Sequence, residues 1–259
     1  MSLEIDVITL FPEMFDAVTK YGVTGRAEKN KIYQLNTWNP RDYTENNRRS
    51  IDDSPYGGGQ GMVLLAEPLE KAIINVKDRL KSIGVDDTHV IYLSPQGRLL
   101  DHERVLALSD YGSLTLVCGR YEGVDERFIA RYVDEEISIG NYVISGGELA
   151  AMVLIDSVVR HLPGSLGDNN SAKEDTFSNL LLEFPQYTRP EIFNGESVPS
   201  VLLSGNHAKI KRWRLQQSLG KTWLNRPDLL AQKRKKGLSE EEVLLLEEFK
   251  QQQDYKISE

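Results

Sequence analysis

The chain has 259 residues, a formal net charge of −8, 40% hydrophobic and 27% charged residues, and one cysteine. That length buries a full core and suits two domains, and the composition is that of an ordinary globular protein, not a disordered or fibrous one. A lone Cys118 excludes an internal disulfide, no signal-peptide pattern opens the chain, and no apolar run is long enough for a membrane span. The expectation is a cytoplasmic protein with no membrane partner.

In chain order, Leu3–Leu10 alternates and predicts a strand, and Pro12 opens a helix to Thr19 from its first position. Ile32–Trp38 predicts a second strand. Asn39–Gly61 is a polar, glycine-rich loop, long enough that a function is expected of it. Ala66–Lys81 reads as an amphipathic helix, Thr88–Leu93 as a strand, Asp101–Ser109 as a helix and Ser113–Cys118 as a strand. Asp125–Arg131 predicts a short helix, Ile137–Ser145 one or two short strands, and Gly147–His161 a strongly apolar helix that Pro163-Gly164 stops. This alternation predicts an α/β fold, a mostly parallel sheet with helices on both faces. Ser165–Asp175 holds almost nothing apolar and reads as a linker. It separates a domain at 1–164 from a mostly helical one at 176–259. Helices are expected there at Thr176–Leu182, Asn206–Ser218 and Ser239–Gln253, the last opened by the capping box Ser239/Glu242.

Three apolar runs, Val90–Leu93, Leu114–Cys118 and Ile137–Ile139, each end in a glycine-containing turn within sixty residues. In open α/β sheets ligands sit at the carboxyl ends of strands, where glycine lets the backbone approach closely. The usual nucleotide signatures are missing. No G-x-G-x-x-G follows a strand, Gly57-Gly58-Gly59-Gln60-Gly61 has the wrong spacing, and Gly220-Lys221-Thr222 has Leu215 where a phosphate loop needs glycine. H-E-x-x-H, G-x-S-x-G and paired C-x-x-C are absent, and His89, His102 and His161 have no metal-site spacing. Charge is unevenly spread: His207–Lys236 carries ten Lys or Arg against one acid, Asp228, whereas Gly237–Glu259 carries seven acids against two lysines. A basic stretch interleaved with Trp213 and Trp223 is either a nucleic-acid face or a solvated helix surface.

Several motifs together are recognisable. Ile8-Thr-Leu-Phe-Pro-Glu-Met-Phe15, Asp52-Asp-Ser-Pro-Tyr-Gly-Gly-Gly59, Tyr92-Leu-Ser-Pro-Gln-Gly-Arg98, Gly119-Arg-Tyr-Glu-Gly-Val-Asp-Glu-Arg127, Ser145-Gly-Gly-Glu148, Leu203-Ser-Gly-Asn-His207 and Arg212-Trp-Arg-Leu-Gln-Gln-Ser-Leu219 resemble the bacterial tRNA (guanine-N1)-methyltransferases of the TrmD type. The resemblance runs from about Leu3 to Trp223. It implies a SPOUT fold, with a trefoil knot near the C-terminal end of a parallel sheet, in an obligate homodimer with shared active sites. It also implies methyl transfer from S-adenosylmethionine to N1 of the guanosine immediately 3′ of the tRNA anticodon, with magnesium required and no site assigned for it. Periodicity alone gives no hint of a knot.

The resemblance places the cofactor against three loops: Tyr92, Leu93, Ser94, Pro95 and Gln96; then Gly119, Tyr121, Glu122 and Gly123; then Ile139, Gly140, Asn141, Tyr142, Val143, Ile144, Gly146 and Gly147. Adenine needs apolar walls with backbone donors and acceptors, which Ile139–Ile144 offers, and Glu122 offers a counter-charge for the ammonium or sulfonium. Asn141 stands where an Asp is common, which removes a charge from that loop. Asp175 matches the catalytic aspartate, the general base for the N1 proton, a role worth roughly 10²–10⁴-fold. Arg160 matches the arginine that offsets charge developing at guanine O6. Without the resemblance, Asp175 reads as a helix N-cap and Arg160 as a helix-end cation. Candidate tRNA contacts are Asp52, Ser54, Tyr56, Gly58, Gly59, Lys209, Lys211, Arg212 and Arg214, with His207 either capping a helix or touching RNA. Two competing readings are another SPOUT methyltransferase, acting on ribose 2′-OH or ribosomal RNA, and an RNA-binding protein without catalysis.

Overall fold

A computed structural model describes residues 2–45, 47–166, 176–177 and 179–257, the side chains of 254–257 excepted. The chain divides into two compact units, Met1–Asn169 and Asn170–Glu259.

The first unit runs β1 (Leu3–Ile8), a 3-10 turn (Pro12–Phe15), α1 (Asp16–Thr19), α2 (Gly22–Lys29), β2 (Tyr33–Trp38), β3 (Asp52–Asp53), β4 (Val63–Leu64), α3 (Ala66–Ser82), β5 (His89–Leu99), α4 (His102–Ser109), β6 (Ser113–Cys118), α5 (Glu126–Tyr132), β7 (Glu135–Ser138) and α6 (Gly147–Val159). Five strands form one sheet in the order β2-β1-β6-β5-β7, all pairs parallel. β1 and β6 are buried along their whole length, as expected of strands covered on both faces. Alternate residues feed two cores. Leu3, Ile5, Val7, Leu114, Leu116 and Cys118 pack with Leu154, Ile155, Val158 and Val159 of α6. Ile8 and Val117 pack on the other side with Leu69, Ile73 and Val76 of α3 and Phe128 of α5. Glu4 and Asp6 share Arg79 of α3, whose Nη1 donates to Glu4 at 2.9 Å and Nη2 to Asp6 at 2.7 Å. Burial still pushes the Asp6 carboxyl up.

Register fixes where the loops begin. Leu93 pairs with Cys118 on one side and with Ile137 on the other, so the ends of β6 and β7 lie level with the middle of β5. The expected strand Thr88–Leu93 in fact continues to Leu99. The ladder is interrupted between Leu93 and Arg98, both opposite Ile137, so Ser94–Gly97 leaves the sheet and returns. Gly97 makes that return possible, because a Cβ there would stand 2.4 Å from the Glu136 carbonyl carbon. Of the one or two short strands expected within Ile137–Ser145, one forms, β7, and residues 139–146 are irregular. The sequence pattern also missed α2, which contains Gly22 and Gly25. A Cβ on Gly25 would meet the Lys20 carbonyl carbon at 2.6 Å, so close packing on the preceding turn outweighs glycine's low propensity.

The second unit contains a hairpin of β8 (Ile192–Phe193) and β9 (Glu196–Ser197), followed by α7 (Ser200–Leu203), α8 (His207–Asn225), α9 (Pro227–Lys236) and α10 (Glu240–Ile257). Leu219, Leu230, Leu245 and Leu246 form its core with Leu181. The expected capping box forms, Ser239 N donating to Glu242 at 2.8 Å and Glu242 N to Ser239 Oγ at 3.2 Å. The expected helix Thr176–Leu182 is absent among the described residues. Phe177 and Leu180 have φ of 80° and 57°, left-handed values that a right-handed helix cannot contain. No helix among the described residues is long and apolar enough to cross a membrane.

Candidate active site

A cavity of about 270 Å³ opens where β6 and β7 end beside the break in β5, close to the lower end of small-molecule sites at roughly 300 Å³. Sixteen of the seventeen expected cofactor residues line it: Tyr92–Gln96, Gly119, Tyr121–Gly123, Ile139, Gly140, Tyr142–Ile144, Gly146 and Gly147. Asn141 is exposed and does not line it. Arg120, Ile137, Ser138, Ser145 and Ala150 also line it and were not singled out. Ile137 and Ser138 are the last residues of β7 and Ala150 lies one turn into α6, positions set by register and not by any motif.

The glycines are where neighbours need their space. A Cβ on Gly119 would stand 2.7 Å from Tyr92 Oη, and one on Gly147 would stand 2.8 Å from the Cys118 Cα. Burial pushes the Tyr92 phenol up, with Glu136 adding to it and the Val124 backbone opposing. Tyr121 is left-handed at φ 59°, and Gly123 has φ 122°. The Gly119–Gly123 loop is therefore tightly turned over the Tyr92 ring. It is also tied to the end of the glycine-rich loop: Glu122 N donates to Met62 O at 3.0 Å, Leu64 N to Gly123 O at 3.0 Å, and Asp125 N to Leu64 O at 3.1 Å. In the third loop, Ser138 Oγ donates to Gly140 O at 3.0 Å, and Tyr142 N donates to the same carbonyl at 2.9 Å. Tyr121, Tyr142 and Val143 remain exposed at the rim, an apolar edge around a polar mouth.

The other expected residues lie elsewhere. Asp175 is outside the described residues. Arg160 caps the carboxyl end of α6, its N–H donating to Asp156 O at 3.3 Å. It stands about 20 Å along the helix axis from Gly147 in the cavity wall, at about 1.5 Å per residue. Asp52 pairs with Leu64 in the β3–β4 ladder. Ser54 N donates to Asp53 Oδ1 at 2.7 Å, Tyr56 is fully exposed, and Gly58 and Gly59 have φ of 77° and 129°. In the second unit Asn206, not His207, caps α8, its Oδ1 accepting from Lys209 N at 3.1 Å. Arg212 is engaged by Glu248 at 2.7 Å and Glu241 at 3.8 Å. Arg214 lies over the Phe184 ring at 4.6 Å. Lys209, Lys211 and Arg214 have no ion pair among the described residues. No group of three or more His, Cys, Asp or Glu gathers to hold a metal ion among the described residues.

The sequence model of the family described as tRNA (Guanine-1)-methyltransferase TrmD matches residues 3–232. The chain belongs to this family. Relatives named tRNA (guanine-N(1)-)-methyltransferase agree with it along nearly their whole lengths. The protein of Nitrosospira multiformis is 66% identical over 249 residues, 96% of this chain and 97% of that protein. That of Nitrosomonas europaea is 64% identical over 251 residues, 97% of this chain and 93% of its own. That of Methylobacillus flagellatus is 59% identical over 251 residues, 97% and 94%. The segments Tyr92–Arg98, Gly119–Arg127 and Ser145–Glu148, which carry the resemblance, each supply residues to the cavity lining.

Proposed function

We propose that the chain methylates N1 of the guanosine immediately 3′ of a tRNA anticodon, with S-adenosylmethionine as donor. The observation that supports this most is the cavity itself: in a chain of the TrmD family, three glycine-broken loops close on one space at the strand ends. That space fits the donor's chemistry. Ile139, Val143 and Ile144 supply apolar wall, and glycines 119, 146 and 147 line it at positions where a Cβ would strike Tyr92, Arg120 and Cys118. Glu122 lines it as the acidic group nearest to hand for a cationic ligand. S-adenosylmethionine, when bound, supplies an electrophilic methyl group.

The chain's own residues then have two tasks. Asp175 accepts the proton that leaves guanine N1, and closure around tRNA raises its basicity by desolvation. Arg160 offsets the negative charge that spreads to O6. The length of α6 keeps Arg160 far from its own cavity, which favours a homodimer in which one protomer's Arg160 serves its partner's site. The knotted path of the loops and a magnesium requirement belong to the same reading. Asp52, Ser54, Tyr56, Gly58, Gly59 and the cations Lys209, Lys211 and Arg214 are the proposed tRNA contacts.

The test is incubation with labelled S-adenosylmethionine, with and without magnesium, and transcripts carrying G or A 3′ of the anticodon. Label recovered as 1-methylguanosine at that position, in the G transcript alone, is the expected result. Label on ribose or at another site would sink the reading.

A further inference from the structure

A buried carboxylate stands behind the cavity wall. Glu148, the second residue of α6, has no exposed surface, and a charge in such a place needs close partners. Thr9 Oγ1 donates to its Oε1 at 3.0 Å, and Arg120 Nε donates to its Oε2 at 2.9 Å. Arg120 also donates to the Ser145 carbonyl at 3.2 Å. Its guanidinium lies over the Phe11 ring, 4.5 Å from the centroid. Its main chain bridges to Gly146. A Cβ on Gly146 would stand 2.2 Å from Arg120 Nε, so the missing side chain is the space the arginine fills. One guanidinium thus joins four segments: the chain leaving β1, the loop leaving β6, the turn before α6, and α6. The second and third of these are walls of the cavity.

We propose that Arg120 is a positioning residue for the cofactor. Anchored on Glu148, it clamps the Gly119–Gly123 loop to Ser145–Gly147 and so fixes the width of the cavity between them. It acts through the loops and not on a reacting atom. A planar, multiply donating head suits this place, because a lysine reaches Glu148 but cannot also bond Ser145 and stack on Phe11. The proposal rests on S-adenosylmethionine as the cavity's ligand.

The experiment compares wild type with Arg120→Ala, Arg120→Lys and Glu148→Gln by calorimetric titration with S-adenosylmethionine, thermal unfolding, and steady-state methyl transfer. Arg120→Ala and Glu148→Gln are expected to raise Kd and KM for S-adenosylmethionine roughly tenfold or more. At saturating cofactor, kcat is expected to stay within about threefold, and KM for tRNA to be unchanged. Arg120→Lys is expected to recover thermal stability without recovering affinity, which separates positioning from a purely structural ion pair. A folded Arg120→Ala with wild-type Kd and KM overturns the proposal. Should that variant not fold, Gly146→Ala keeps the arginine but displaces its head, and wild-type affinity there overturns the proposal equally. No binding by the wild type overturns the cofactor reading and the clamp with it, whereas binding by the wild type and equal binding by the variants overturns the clamp alone.

Discussion

The two units present candidate functional residues in opposite ways. In the first, residues from 92 to 150 meet because β5, β6 and β7 are parallel neighbours, the ends of β6 and β7 lying level with the break in β5. Backbone topology makes the site, and side chains finish it. In the second, the candidates sit on one helix, α8, and what distinguishes them is which cations the fold leaves unpaired. Arg212 is spent on Glu248, while Lys211 and Arg214 are exposed and have no ion pair among the described residues. A concave site tolerates almost no change of shape, and a charged surface tolerates almost any change that keeps its charge.

The largest expected effect tests the proposed reaction itself. Asp175→Asn should keep cofactor binding by calorimetry and lose two or more orders of magnitude in turnover, about the full value of a general base. Near-normal turnover would remove that role. Next, Gly147→Ala presses a methyl against the Cys118 backbone, and its expected cost is about 1–3 kcal/mol of stability together with weakened cofactor binding. An unchanged melting temperature and affinity would show that the wall is softer than its geometry. On the surface region, Lys211→Ala and Arg214→Ala should each lower the salt slope of tRNA affinity by about 1, and Arg212→Ala should not. Equal slopes for all three would erase the distinction between spent and available charge.

The smallest effect concerns Asp125, which caps α5 and pairs with Arg127 at 2.7 Å. The Arg127 side chain holds its carboxyl below the usual range, against partial burial. A depressed carboxyl stabilises the fold above its unfolded value and loses that contribution as pH falls through its folded value. Asp125→Ala should therefore cost about 1 kcal/mol at neutral pH, and the gap from wild type should close below about pH 4. A gap that persists in acid would assign the cap to geometry and not to charge.

Much of the first unit was legible in the sequence because its strands are buried on both faces. Continuous apolar runs broken by glycine mark strand and loop together, and Ser113–Cys118 was placed residue for residue. The cavity followed from family motifs that fall on those breaks. The Arg120–Glu148 pair was not legible, because it joins residues 28 apart that only the Gly146 bridge brings together. In the second unit a polar, weakly periodic sequence predicted a helix at Thr176–Leu182 where left-handed residues stand, and concealed the helix Pro227–Lys236. Amphipathic signals fade where a small core is shared among many elements.

Cys118 is the chain's one cysteine, buried at the end of β6 against Gly147. Burial, with Glu148 adding to it, holds its thiol well above the ordinary range, so it is inert while the packing between β6 and α6 stays closed. The protein thereby carries its own opening counter. A thiol-specific dye marks only those molecules in which the packing over Cys118 has momentarily come apart, and the labelling rate reports such excursions. A ligand that favours the closed packing of Gly147 on Cys118 is expected to slow that count.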